Sequence, residues 1–300
     1  MAKANNLQSL SINEELGDLP THFMKSGSSM PRKERLDGLY KFQKEVVPKT
    51  KWGLNVEYDL WYNTNELSTI RTWLYTDFLG KGIFFRVNSV KINDRLYNRI
   101  AQDEYLEIDE ERISKITQSL ENKYMLQNYT GEYYDKVAFP PGSNLLSKNV
   151  VNWNTLDGLI EEGFVIKPHP ITAHLYIAKM KQRYGQHRIL GKKLSGHDIL
   201  SNAKEIGFCP NSQMGVEALL LGKKIRSFAI PRTAREKAHL TYEAIYAAIA
   251  GSETTTRLKR LLSSKYSGII FAFDEDRKAR TENYFNNFWD FTLRPSKLDT

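Results

Sequence analysis

The feature that most constrains this chain is the alternation, from Lys136 to Ile230, of short apolar runs with amphipathic stretches separated by glycine and proline. Lys136-Val-Ala-Phe139 reads as a strand that ends in Pro140-Pro-Gly142, and residues 154–163 read as a helix stopped by Gly163. Phe164-Val-Ile-Lys167 is a second strand running into Pro168-His-Pro170, followed by a helix over 172–184 and a short strand at 188–190. A helix over 197–204, a strand over 206–209, a helix over 213–221 and a strand over 224–230 complete the series. Repeated strand and helix in this order builds a parallel sheet covered by helices, the doubly wound α/β arrangement.

The first half carries a related expectation. Leu54, Val56, Tyr58 and Leu60 alternate as a strand, Leu67, Ile70, Trp73, Leu74 and Phe78 follow helical spacing up to Gly80, and Gly82 to Val87 is again strand-like. Strand, helix, strand predicts a βαβ unit with a right-handed crossover. A further helix is expected at 109–124, where Ile113, Ile116, Leu120 and Tyr124 share a face. Residues 1–35 mix Asn, Ser, Gly and charges without periodicity and read as a flexible arm. At 300 residues the chain has room for two units. The expected division is an arm at 1–35, an α/β domain at 36–135, a second α/β domain at 136–280 and a terminal helix at 281–300. In that helix Tyr284, Phe288 and Phe291 lie nearly on one stripe, which also suits core packing.

Charge is unevenly placed. Residues 1–135 hold 18 Lys and Arg against 20 Asp and Glu, whereas 136–300 hold 25 against 15. A basic half is either a solvated surface or the counterpart of an anionic ligand. The N-terminal stretch lacks the basic start and apolar block of a targeting peptide, and no run reaches the roughly 18 apolar residues of a membrane span, so a cytoplasmic protein without stable membrane insertion is expected. One cysteine, Cys209, excludes an intramolecular disulfide and a multi-thiolate metal site.

Ligands of an open parallel sheet bind at the carboxyl ends of its strands, and two segments there carry suitable chemistry. In Lys167-Pro168-His169-Pro170 a proline on each side fixes the backbone, and the Lys167 ammonium and His169 imidazole can donate to phosphate oxygens. The same segment also reads as a rigid strand exit with a surface histidine. In the second segment, Cys209 to Gly222, Asn211 or Ser212 is a natural N-cap, Gly215 admits a ligand or neighbouring backbone, and Gly222 closes the helix. Unpaired N–H groups at such a start attract anions, while Glu217 could accept from the two hydroxyls of a ribose. Without a ligand it is a capped amphipathic helix with one exposed acid. His174 suggests a metal pair with His169 only by proximity in sequence, and no metal site is expected.

Together the K-P-H-P loop and, about forty residues on, Ser212-x-x-Gly215-x-Glu217-Ala-Leu-Leu-Leu-Gly-Lys223 resemble the donor domain of GT-B glycosyltransferases, in particular the capsule-polysaccharide and Kdo-transferase-like group. The resemblance covers residues 136–232. It implies two Rossmann-like domains facing across a cleft, with the C-terminal helix crossing back over the first. It implies a nucleotide sugar as co-substrate and no cofactor. His169 and the turn of Ser212, Gln213 and Gly215, next to Asn211, would meet the phosphates, Glu217 would hold the ribose, and Lys167 and Lys223 would add positive potential. Such enzymes bind the donor without a divalent metal, so Asp274-Glu-Asp276 reads as a strand-end turn rather than a metal-binding pair. Inversion at the sugar carbon needs a carboxylate in the first domain, for which Asp59 and Asp77, beside Glu57, are the candidates.

Two acceptors fit. A hydroxymethylated base in double-stranded DNA, the substrate of phage GT-B enzymes of similar size acting in the host cytoplasm, suits a basic surface made by Arg32, Lys33 and Arg35 of the arm and by Arg257, Lys259 and Arg260. A capsule or lipid-linked surface glycan is the substrate of the group whose motifs match. A non-catalytic nucleotide or nucleic-acid binding module and a metal nuclease using Asp274 and Asp276 are the readings from other classes.

Overall fold

The computed structural model describes residues 55–58, 71–79, 82–87, 90–125, 133–192, 194–231, 242–271 and 273–284. Contacts divide the chain into two units, Met1–Ser119 with Ala247–Thr300, and Leu120–Tyr246. The chain therefore returns to the first unit at Ala247, whereas the sequence reading keeps the second domain running to 280. The lower boundary moves as well, from 135 to Leu120.

In the first unit, β1 (Asn55–Tyr58) pairs in parallel with β2 (Arg71–Phe78), and β2 pairs antiparallel with β3 (Gly82–Val87). Most of the helix expected over 67–78 is thus a strand, Arg71–Phe78, and in place of a βαβ unit β2 forms a hairpin with β3. The spacing of Leu67, Ile70, Trp73 and Leu74 suits a helix. Yet Thr72, Trp73, Tyr75, Thr76 and Phe78 are β-branched or aromatic residues that fit a pleated surface, and β3 offers a partner a short turn away. Leu79 takes the left-handed backbone conformation in that turn, φ 50°, and is buried. Helix α1 (Val90–Gln102) follows, with Leu96, Tyr97, Ile100 and Ala101 in the core, and then α2 (Glu110–Met125), close to its expected span. Asp109 caps α2 by accepting from the Arg112 N–H at 2.9 Å. Among the described residues this sheet is mixed rather than the parallel Rossmann-like sheet expected.

The second unit follows the β-α alternation closely. Strand β4 (Lys136–Phe139) leads to α3 (Ser143–Leu146) and α4 (Trp153–Glu161). Asn152 accepts from Thr155 N at 3.2 Å and starts α4; Gly163, at φ 100°, turns the chain out of it toward β5 (Val165–Ile166). Helices α5 (His174–Tyr184) and α6 (Gly196–Asn202), strand β6 (Glu205–Phe208), helix α7 (Met214–Leu220) and strand β7 (Lys224–Ser227) complete the series, and helix α8 (Glu243–Ile249) follows, with the division at Ala247 falling within it. The short strand expected at 188–190 is a 3-10 turn, Gln186–Arg188, and one parallel bridge from Ile189 to Ile166.

All four strands run parallel in the order β5-β4-β6-β7. The chain moves one way from β4 to β5 and the other way through β6 to β7, so the topological switch lies between β4 and β6. Leu156, Leu159 and Ile160 of α4 are buried with Ala138, Ile166 and Phe228 in one core. Gly207 has no side chain because a Cβ there would stand 3.1 Å from Leu159 Cδ1 and 3.3 Å from Ala138 Cα.

Beyond α8 the chain forms α9 (Thr254–Ser263) and β8 (Ile269–Phe271), the latter pairing antiparallel with β3. Residues 277–284 are helical and Tyr284 is fully buried; Phe288 and Phe291 lie outside the described residues. No described helix is long and apolar enough to cross a membrane.

Candidate functional site

The switch point of the second unit puts the loops after β4 and β6 side by side, with the loop after β5 against them. Gly142, after β4, is where a Cβ would meet the Ile171 side chain at 2.9 Å, and Ser143 Oγ accepts from Ala173 N at 2.7 Å. At Gly196, the start of α6, a Cβ would lie 3.5 Å from Met214 Cε and 3.7 Å from Phe139 Cε1. The carboxyl ends of β4, β5 and β6 and the start of α6 are therefore one contiguous group.

His169 is half-buried in the loop after β5, and its Nδ1 accepts from Ile171 N at 3.3 Å. With Nδ1 as acceptor, Nε2 carries the proton of the neutral ring and is its donor. Lys167 does not present its ammonium to a ligand. It is 2% exposed, and its Nζ donates to the carbonyls of Pro168 at 2.7 Å and Lys192 at 3.2 Å. Burial pushes its pKa down to about 8. Lys223 is also not at the site. It precedes β7, at the amino end of the sheet, and its Nζ donates to Ser201 O at 2.9 Å near the end of α6.

The turn before α7 departs from expectation in a specific way. Its N–H groups should be open to an anion, but they have partners inside the protein. Met214 N donates to Ser212 Oγ at 3.2 Å, and Val216 N donates to the Tyr246 hydroxyl at 2.9 Å as well as to Gln213 O. The Tyr246 hydroxyl in turn donates to Ser212 O. Burial raises the pKa of that phenol well above its ordinary value, so it stays a neutral donor. Gly215 is small for this tyrosine rather than for a ligand, since a Cβ there would stand 2.5 Å from the Tyr246 oxygen and 3.0 Å from the Phe208 ring. Gly215→Ala is accordingly expected to cost the second unit about 1–3 kcal/mol through overpacking, read as a lower urea midpoint; an unchanged midpoint would show that the pocket is loose.

Glu217 is buried at 1% exposure, not an exposed acid. Its Oε1 accepts from Gln213 Nε2 at 2.8 Å, and Gln213 Oε1 accepts from the Tyr242 hydroxyl at 3.1 Å. Tyr242 N also donates to Pro210 O at 3.2 Å, so Tyr242 and Tyr246 strap the loop after β6 from both its ends. Asn211 lies in that loop with a buried Oδ1 that has no hydrogen-bond partner among the described residues. The two tyrosines are the site residues that sequence reasoning misses. Their signal was an i, i+4 spacing within the apolar stretch 242–251.

The remaining assigned residues lie elsewhere. Asp77 belongs to β2 by its backbone, while its side chain, Asp59, Arg32, Lys33 and Arg35 lie outside the described residues. Arg257, Lys259 and Arg260 stand on α9 and have partners within the first unit. Arg257 Nη1 donates to Ala250 O, Lys259 Nζ lies 3.0 and 3.1 Å from the two Glu110 oxygens, and Arg260 Nη1 donates to Ala101 O at 3.1 Å. Asp274 is 6% exposed and receives Arg112 Nε at 2.8 Å and Nη2 at 2.7 Å, while Asp276 pairs with Arg280 at 2.7 Å. The acidic triplet is thus a turn pinned by arginines, with Arg280 Nε 2.7 Å from Asp276 and 3.9 Å from Asp274.

No protein-family model matches the chain, and no curated protein matches it. Among solved structures it is similar to Thermosulfurimonas dismutans KpsC, a beta Kdo 2,7 transferase, at 16% identity, covering 89% of this chain and 91% of that one with a TM-score of 0.42.

Proposed function

We propose that the second unit binds a nucleotide sugar and that the chain is a GT-B type glycosyltransferase acting without a divalent metal. The observation that carries this reading is that the Ser212 to Glu217 segment follows β6 at the switch point of a parallel sheet, while the K-P-H-P loop, the other block that resembles the family, follows β5 in a loop that packs on the one after β4. In this reading His169 donates from Nε2 to the donor's diphosphate, and Glu217 takes the ribose hydroxyls once the Gln213 amide swings aside. Asn211 Oδ1, a buried acceptor without a partner among the described residues, receives a ligand N–H or O–H. Lys167, Tyr242 and Tyr246 shape the loops and do not touch the donor. Asp59 or Asp77 of the first unit is the proposed base.

For the acceptor, the proposal is a hydroxymethylated base in double-stranded DNA, supported by the positive excess of residues 136–300. The internal partners of Arg257, Lys259 and Arg260 leave that excess and the arm as its only support. A surface glycan is the competing acceptor.

The test is a thermal-shift screen with UDP-, CMP- and GDP-sugars, then mass spectrometry of hydroxymethylcytosine-containing DNA mixed with the stabilising donor. A sugar mass on the DNA supports both parts, and donor binding without it moves the acceptor to a glycan. With the donor identified, Glu217→Ala and His169→Ala are each expected to weaken its binding by about 1–3 kcal/mol, the scale of a lost charged hydrogen bond. Parent-like affinity in both variants, or no stabilisation by any nucleotide sugar, would sink the donor site.

A further inference from the structure

Proline on each side of His169 restricts the backbone of its loop, but prolines do not say against what the loop is held. Two lysines do. The sheet continues past β5 through the bridge of Ile189 to Ile166, where Leu190 N donates to Ile166 O at 2.8 Å. Just beyond that bridge, Lys167 Nζ crosses to Lys192 O at 3.2 Å, and Lys192 Nζ crosses back to Thr172 O at 3.2 Å. Lys167 also takes Pro168 O at 2.7 Å. Each lysine thus reaches a backbone carbonyl on the opposite segment, and the bonds fall on both flanks of His169. Between them the loop closes on itself, with Thr172 N on His169 O at 2.9 Å and Ile171 N on His169 Nδ1.

We infer that Lys167 and Lys192 are positioning residues that lace the loop after β5 to the segment 189–192 and so fix the imidazole of His169 with Nδ1 turned inward onto Ile171. An ammonium has three donors and no acceptor, which suits it to gather carbonyls from two segments of chain at once. Charge-assisted bonds to these carbonyls are stronger than neutral ones, and the buried Lys167 head has no ion-pair partner among the described residues to draw it away. The consequence reaches the ring. While the lacing holds, Ile171 N occupies Nδ1 and the neutral ring is confined to its Nε2–H tautomer. Once it opens, the bond to Ile171 is lost and both tautomers become populated. This assignment concerns the same loop as the donor site but does not depend on the donor reading, because its test uses no ligand.

The experiment follows the ring nitrogens of the protein labelled with ¹⁵N-histidine, together with amide exchange, in the parent, Lys167→Met, Lys192→Met and the double variant. In the parent the His169 Nδ1 signal is expected to be that of an unprotonated acceptor. In each single variant it should move toward a mixture of tautomers, and exchange at Ile171 and Thr172 should speed by about tenfold, the effect of one lost hydrogen bond of ordinary strength. The rings of His174 and His187, outside the laced segment, should keep their signals. Lys192→Arg, which retains a charged donor on a long stem, should restore the parent pattern. Lys192 is only partly buried, so its Met variant serves if Lys167→Met fails to fold. Parent-like His169 signals and exchange in the variants that fold would overturn the inference. So would equal changes at His174 and His187, which would mean general loosening.

Discussion

Asp274→Ala is expected to destabilise the first unit by about 3–5 kcal/mol, the cost of leaving a buried partner charge uncompensated, out of the ~5–15 kcal/mol that holds an ordinary domain together. Arg112 and Asp274 are 3% and 4% exposed in their side chains and bound through two N–H···O contacts. The pair does more than satisfy itself. Arg112 Nη2 also donates to Ile269 O at 2.9 Å, its guanidinium lies 5.2 Å over the Phe271 ring, and Asp274 Oδ2 accepts from Phe271 N at 2.7 Å. Helix α2 is thereby tied to both ends of β8, an element more than 150 residues away in sequence. Removing the carboxylate strands the guanidinium and the Phe271 N–H in one step.

The control is a cycle measured by urea denaturation with Arg112→Met and with the double variant Arg112→Met/Asp274→Ala. Because the penalty comes from an unpaired charge, the double variant should recover much of the loss of either single one. Asp276→Asn, at a 40% exposed carboxylate paired with Arg280, should cost less than about 1 kcal/mol. If the two single losses simply add in the double variant, the residues are not coupled and the account of the turn is wrong. A metal-nuclease role for Asp274 requires the opposite pattern, activity lost with stability intact.

How far the sequence carries depends on whether the deciding interactions are local. In the second unit they are: Asn152 caps α4 three residues ahead, Gly163 reverses the chain immediately after it, and the prolines at 140, 168 and 210 end apolar runs that form β4, β5 and β6. In the first unit the helical spacing of Leu67 to Phe78 competes with the β-formers Thr72, Trp73, Tyr75 and Thr76, and the pairing with β3 decides. Helix α1 was open to a reading of its Leu96, Tyr97, Ile100 and Ala101 positions, which fall on one face. At the site, residue types and loop positions were legible, but roles were not. A lysine beside a histidine reads as paired cations until burial turns the ammonium onto carbonyls. A glycine at a helix start reads as room for a ligand until Tyr246, some thirty residues downstream, fills that room.

Lys167 supplies the second large effect, with a definite sign. Burial holds its pKa in the folded protein at about 8, against the usual 10.5 of an exposed lysine. Below pH 8 it is protonated in both folded and unfolded chains, and folding then carries the full cost of burying the charge. Between about 8 and 10.5 the folded protein has released the proton while the unfolded chain keeps it. Unfolding therefore takes up a proton, and stability from this residue rises with pH until the unfolded lysine also titrates. From roughly pH 7.5 to 9.5 the gain is on the order of 2 kcal/mol. Lys167→Met lacks this contribution, so the parent should gain on the variant by that amount over the interval. The chain offers a local probe, since Cys209 is its sole cysteine and is fully buried in the second unit. Thiol labelling across a urea series, with both proteins at the same pH, cancels the ionisation of the thiol itself and reports opening of this unit. A constant difference between parent and variant across the interval would mean that the carbonyls of Pro168 and Lys192 keep the ammonium charged throughout, so that hydrogen bonding outweighs burial at this loop.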